Sequence, residues 1–191
     1  MRIIGGKWRS RQIAAPKSEA TRPTSDRLRE TLFNVLGQDC TGLRVLDLYA
    51  GSGAVGLEAL SRGARRVWFA EKSSPALATL RANLRALGAE GAVVDNSGVS
   101  TLLSKLAREK TAIDLIFLDP PWDMAQEYER TLGFLGSHEE LLNDGARVVA
   151  EHRSKVELPA RVGNLERTRV LKQGDASLSF YQWSDEGDTT S

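Results

Sequence analysis

Between about residue 43 and residue 152, short apolar runs alternate with segments of helical periodicity. A parallel sheet with covering helices satisfies that order, whereas an all-helical bundle or an antiparallel sandwich does not. The first run, 43–48, leads into Gly51-Ser52-Gly53, and Val55, Leu57, Ala59 and Leu60 then predict a short helix ending at Gly63. A second strand is predicted over 67–70. Ser74 as N-cap and Pro75 at the first helical position open a helix with Leu77, Leu80, Leu84 and Leu87 on one face, closed by Gly88. A strand over 92–94, a helix over 99–108 and a strand over 113–118 follow. The last of these must stop at Asp119-Pro120-Pro121-Trp122, because two prolines cannot continue the ladder. A helix over 127–135 and a strand over 147–152 complete the alternation. Two final strands, 167–172 and 178–183, flank the turn pair Gly174-Asp175 and predict an antiparallel hairpin.

Ahead of this core, Ile3-Ile4 and Gln12-Ile13 flank Gly5-Gly6 and suggest a small hairpin or a loose β arm. Thr24 or Ser25 then caps a helix bearing Leu28, Leu32, Val35 and Leu36 and ending at Gly37. The expected organisation is an N-terminal extension over 1–37, a main domain over 38–183 and a disordered acidic tail over 184–191. A net charge of +1 conceals segregation: residues 1–30 hold eight basic and three acidic side chains, +5, which leaves −4 for the rest. No apolar run approaches the roughly 18 residues needed to span a bilayer, and no signal peptide follows the basic start. A cytoplasmic protein without a membrane partner is expected. Cys40 is the only cysteine and His138 and His152 are far apart, so no intrachain disulfide and no Cys/His metal site is available.

Two strand ends carry candidate chemistry. Gly51-Ser52-Gly53-Ala54-Val55-Gly56 fits G-x-G-x-x-G, with Glu71 twenty positions after Gly51 at the end of the next strand. Glycines let a ligand approach the backbone, and a strand-end carboxylate can hold two ribose hydroxyls, so a nicotinamide dinucleotide and S-adenosylmethionine both fit. Asp47 separates them. A carboxylate beside the loop repels a pyrophosphate that wants the bare helix N-terminus, but suits a ligand carrying an ammonium and a sulfonium. The second end is Asp119-Pro120-Pro121-Trp122. The lone pair of a nucleobase amine is delocalised into its ring. A carboxylate and a carbonyl that accept both its hydrogens draw the nitrogen towards a tetrahedral geometry, and the indole offers a stacking surface.

The stretch 45–64 together with Asp119-Pro120-Pro121-Trp122 resembles the class I S-adenosylmethionine-dependent amino-methyltransferases. Arg2-Ile3-Ile4-Gly5-Gly6-Lys7-Trp8-Arg9, 22–30, Leu46-Asp47-Leu48-Tyr49-Ala50-Gly51-Ser52-Gly53 and Gly174-Asp175-Ala176 resemble the RsmD family more specifically. Members of that family methylate the exocyclic N2 of a guanine in bacterial 16S rRNA. The resemblance implies a Rossmann-like α/β fold with a seven-stranded sheet of order 3-2-1-4-5-7-6, strand 7 antiparallel. It implies S-adenosyl-L-methionine as cofactor, no metal, and direct SN2 transfer to an amine held by Asp119, Pro120, Pro121 and Trp122. Asp47, Tyr49, Ala50, Gly51, Ser52 and Gly53 would line the cofactor's methionine part, with Glu71 on the ribose and Lys72 and Asp119 as further cofactor-binding residues. Where relatives place an acidic or amide side chain on adenine, the alignment puts Ser97, with Asp95 or Asn96 as substitutes.

The implied partner is 16S rRNA in the small subunit or its assembly intermediate, met by a monomer. The RNA would be gripped by Arg2, Lys7, Trp8, Arg9, Arg11, Arg22 and Arg27, a mixture of phosphate-binding charge and stacking surface. The alternatives are an amino-methyltransferase acting on DNA or protein, a nicotinamide-dependent oxidoreductase and a non-catalytic RNA-binding module on the same fold.

Overall fold

The structure, a computed structural model, describes residues 1–15 and 25–185, so the expectations for Arg22, for Thr24 and for 186–191 lie outside the described residues. The strands are β1 (Arg44–Leu48), β2 (Arg66–Ala70), β3 (Ala92–Asp95), β4 (Ile113–Leu118), β5 (Leu142–Arg153), β6 (Arg161–Val162), β7 (Leu165–Gln173) and β8 (Ala176–Trp183). The helices are α1 (Asp26–Leu36), α2 (Ala54–Ser61), α3 (Ser74–Leu87), α4 (Val99–Arg108) and α5 (Ala125–Leu135). The strands form one sheet in the order β3-β2-β1-β4-β5-β8-β7-β6. Pairing is parallel from β3 across to β5, and β8 enters antiparallel between β5 and β7. This is the class I methyltransferase fold, with one difference from the predicted seven strands. A two-residue strand, β6, pairs antiparallel with β7 at the edge, too short and too polar to leave a pattern in the sequence.

The central strands are apolar on both faces, as a doubly covered parallel sheet requires. Val45, Val67, Phe69, Leu115 and Phe117 pack with α1, α2 and α3. Their alternates Leu46, Leu48, Trp68, Ala70, Ile116 and Leu118 pack with α4 and α5. Leu48 lies opposite both Ala70 and Leu118, and Leu118 opposite Ala150. The next residues along, Tyr49, Glu71 and Asp119, therefore emerge together at one edge. Strand order reverses between β2-β1 and β4-β5, the switch point where open α/β sheets bind ligands.

Three local expectations change. The predicted strand over 147–152 is longer, Leu142–Arg153, and takes up the extra length in an irregular register between Ile113 and Leu115. The N-cap of α3 is Ser73 rather than Ser74, and it makes no side-chain cap bond. The tail does not begin at 184: the Ser184 N–H donates to the Asn164 carbonyl at 2.8 Å, and Trp183 Nε1 donates to Asp185 at 2.9 Å. Near the other terminus Ser25 caps α1, accepting the Leu28 N–H at 3.1 Å.

The N-terminal arm is packed rather than loose. Its chain pairing reduces to one antiparallel bridge, Arg2 with Gln12, around a 3-10 turn at Gly6–Trp8. It buries Ile3, Trp8 and Ile13 in the core on the α2 side. Glu58 anchors it: fully buried, this side chain accepts the N–H groups of Ile4 at 2.9 Å and Gly5 at 2.7 Å and pairs with Arg62 at 2.9 Å. Gly6 can only be glycine, since its φ is +73° and a Cβ would stand 1.9 Å from the Ser61 carbonyl oxygen. Among the described residues no helix is long and apolar enough to cross a membrane.

Candidate active site

After β1 the chain turns through Tyr49, at φ 62°, and Gly51, at φ 57°, before Gly53 opens α2 at φ 81°. A left-handed tyrosine costs on the order of 1–3 kcal/mol, and its hydroxyl is held in compensation. It donates to Glu127 at 2.7 Å and lies 3.2 Å from the Thr131 hydroxyl, both on α5. The glycines divide their roles. A Cβ on Gly51 meets nothing within 4 Å, whereas one on Gly53 would stand 2.4 Å from Leu80 and one on Gly56 2.3 Å from Phe69. Gly51 thus leaves the backbone bare towards the cleft, and the other two allow close packing of α2.

Asp47 lies one residue inside the strand end, 2% exposed, and accepts the Gly56 N–H at 2.9 Å. It therefore caps the first turn of α2 as well as lining the cleft. Burial pushes its carboxyl up to about 8, against the lowering effect of the Gly56 bond and with a further push from the Glu71 charge. The Glu71 carboxylate accepts from Gly51 N–H at 2.8 Å and Ser73 N–H at 2.6 Å, tying the glycine loop to the start of α3. Beyond β3, Asp95 accepts the Ser97 N–H at 2.8 Å, so the turn presents Ser97 rather than Asp95.

One cleft of about 860 Å³ runs along this edge. Of the predicted cofactor residues, Asp47, Tyr49, Ala50, Gly51, Ser52, Glu71, Lys72, Ser97 and Asp119 line it. Gly53 and Asn96 do not: Gly53 faces Leu80, and exposed Asn96 lies outside the lining. Asp119, Pro120, Pro121 and Trp122 line the same cleft, so the two predicted sites are one. The Asp119 N–H reaches back to the Leu48 carbonyl at 3.4 Å, and α5 is fixed beneath by the Tyr128 hydroxyl donating to the Glu151 carbonyl at 2.7 Å.

In the arm, Arg2, Lys7, Arg9 and Arg11 are exposed, as is Arg27 on α1. Trp8 is not a stacking surface for RNA. The residue is only 7% exposed, with the Lys7 ammonium 4.4 Å from the ring centroid, because the indole supplies the apolar area that seats the arm. The arm also reaches the glycine loop: Asn83 accepts the Ala14 N–H at 2.9 Å and donates to the carbonyls of Ala14 and Ser52, each at 3.0 Å.

Among the cleft residues that sequence reasoning missed are Glu127, Arg130, Arg153 and Met124. Arg153 could have been found, since it closes β5 at the same edge that gives Asp119. The guanidinium lies 5.0 Å over the Trp122 ring. Glu127 and Arg130, an ion pair at 3.0 Å, sit on a surface turn of α5 whose sequence shows no sign of its neighbours.

A family model described as "Conserved hypothetical protein 95" matches residues 1–182. Over 189 residues the chain is 37% identical to Ribosomal RNA small subunit methyltransferase D of Escherichia coli (strain K12), covering 99% of this chain and 93% of that one. It is 37% identical over 183 residues to YlbH of Bacillus subtilis (strain 168), covering 95% of this chain and 98% of YlbH. The solved structure of yhhF from Escherichia coli superposes with a TM-score of 0.80 at 37% identity, covering 96% of this chain and 98% of that one.

Proposed function

The chain belongs to the "Conserved hypothetical protein 95" family, and on that premise we propose that it methylates the exocyclic N2 of a guanine in bacterial 16S rRNA, using S-adenosylmethionine. The observation that carries this reading is the meeting of the two strand ends. A bare glycine loop with strand-end carboxylates opens into the same cleft as Asp119-Pro120-Pro121-Trp122. The residues fit the cofactor: Gly51 leaves room for close backbone approach, Glu71 stands at the second strand end, and buried Asp47 gains its charge most readily beside a cation. When bound, S-adenosylmethionine supplies a methyl group on a sulfonium centre, open to direct displacement by a nitrogen lone pair.

The chain's own part is positioning. Asp119 and the Pro120 carbonyl accept the two hydrogens of the amine, which withdraws the nitrogen lone pair from the ring and aims it into the cleft. Asp119 then accepts the proton that the methylated nitrogen sheds. The prolines hold φ at about −65°, so the carbonyl does not drift. Trp122 presents a plane for the base, which must leave its own stack to enter the cleft, and a single-stranded or loop nucleotide is the expected target.

Transfer of radiolabelled methyl from S-adenosylmethionine to naked 16S rRNA, assembled small subunits, DNA and total protein tests the proposal. Label is expected on the rRNA, naked or assembled. Label confined to DNA or protein would overturn it.

A further inference from the structure

The cleft holds three cations at its lining. Lys72 lies beside Gly98, beyond the second strand end, and Arg130 is paired with Glu127. Arg153 is exposed, has no carboxylate within ion-pair distance among the described residues, and rests instead on Trp122. It belongs to β5, the direct neighbour of β4. Leu118 is opposite Ala150, so Asp119 is one residue past that level on one strand and Arg153 three past it on the other. Neighbouring strands lie about 4.8 Å apart, so a single base can face both residues.

The Arg153 guanidinium carbon stands 5.0 Å from the Trp122 ring centroid, next to the plane that the indole offers a base, and its five N–H donors form a planar fork. Such a fork addresses the edge of the base and not its face. A purine whose amine is held at Asp119 turns another edge to the neighbouring strand. In guanine that edge carries two acceptors, O6 and N7, which match a bidentate guanidinium. Adenine has one exocyclic amine, at the position of guanine's O6, so when that amine is held at Asp119 no O6–N7 acceptor pair is left for the fork.

We propose that Arg153 is a specificity-determining residue that reads the O6 and N7 acceptors of the target base, and that this reading, with Asp119 holding N2, is what selects guanine. The inference rests on the guanine-N2 activity proposed above. Trp122 pre-orients the fork, so little freedom is lost when it engages.

The test uses the full-length protein and small-subunit rRNA. The nucleotide methylated by the wild type is replaced, by splinted ligation, with 7-deazaguanine, which lacks N7 but keeps N1–H, N2 and O6. Wild-type kcat/KM is expected to fall about 10-fold on the analogue. Arg153→Ala is expected to fall by at least about 10-fold on guanine and to treat guanine and 7-deazaguanine alike. Arg153→Lys keeps the charge without the fork, and is expected to bind RNA like the wild type without regaining the guanine rate. Thermal melting and S-adenosylmethionine titration check that each variant is folded, and Arg153→Lys carries the comparison should the alanine variant fail. Three results would overturn the proposal: a wild type indifferent to 7-deazaguanine, an Arg153→Ala variant that keeps the wild-type preference, or full rescue by lysine, which marks a phosphate contact. Absence of guanine methylation by the wild type would instead refute the function reading, and that arm is scored before any variant.

Discussion

Removing the Glu58 carboxylate should release the N-terminal arm and cost a large part of the chain's stability. In Glu58→Ala the guanidinium of Arg62, on a residue only 8% exposed, loses the partner it holds at 2.9 Å. The N–H groups of Ile4 and Gly5 lose their acceptor in the same step. Breaking a buried pair from one side costs about 3–5 kcal/mol. Arg62 keeps its Gln38 contacts and its place 4.7 Å from the Phe33 ring, which favours the lower end. For a chain of this length each kcal/mol moves Tm by about 2–4 °C, so the midpoint should drop on the order of 10 °C. Glu58→Gln retains one acceptor oxygen and should lose about half as much. Thermal unfolding gives the magnitude, and limited trypsin digestion locates it, since exposed Arg9 and Arg11 become cleavage sites once the arm lifts. A Glu58→Ala protein within about 1 kcal/mol of wild type, its arm still resistant, would refute the reasoning.

Other outcomes follow from the same contacts. Folding lifts the Asp47 carboxyl from 3.8 to about 8. Its stabilising contribution is therefore whole below about pH 4 and lost as pH rises through about 8; Asp47→Asn should flatten that part of the stability profile, measured by urea unfolding from pH 4 to 9. Trp122→Ala should weaken RNA binding by about 1–3 kcal/mol while sparing S-adenosylmethionine affinity, read by parallel titrations. Arg9→Ala and Arg11→Ala should each lower the slope of log Kd against log salt by about 1; unchanged slopes would take these residues out of the RNA interface. Deleting the arm is a poorer probe, because it also strips Ile3, Trp8 and Ile13 from the core.

The parallel core was legible because burial on both faces forces near-continuous apolar runs, and the helix over 99–108 emerged with its predicted limits. The strand-end rule placed Glu71 and Asp119 at one edge for the same reason, since parallel strands of matched register end level. What escaped were contacts made across the chain. Nothing local distinguishes Trp8, whose basic neighbours suggest a wet surface, from a tryptophan that seats an arm on α2. Glu58 reads as an ordinary helix residue until Ile4 and Gly5 are brought to it over more than fifty positions. The glycine motif was readable as a loop, but only the packing of Leu80 and Phe69 shows that Gly53 and Gly56 serve the helix and Gly51 the cleft.

The central claim is that Asp119 holds a guanine amine for methylation, and the most direct measurement is mass-spectrometric identification of the labelled nucleoside after transfer to small-subunit rRNA by wild type and Asp119→Ala. N2-methylguanosine is expected from the wild type, and none from a variant that still binds S-adenosylmethionine. A different modified nucleoside, or near-normal yield from Asp119→Ala, would contradict it.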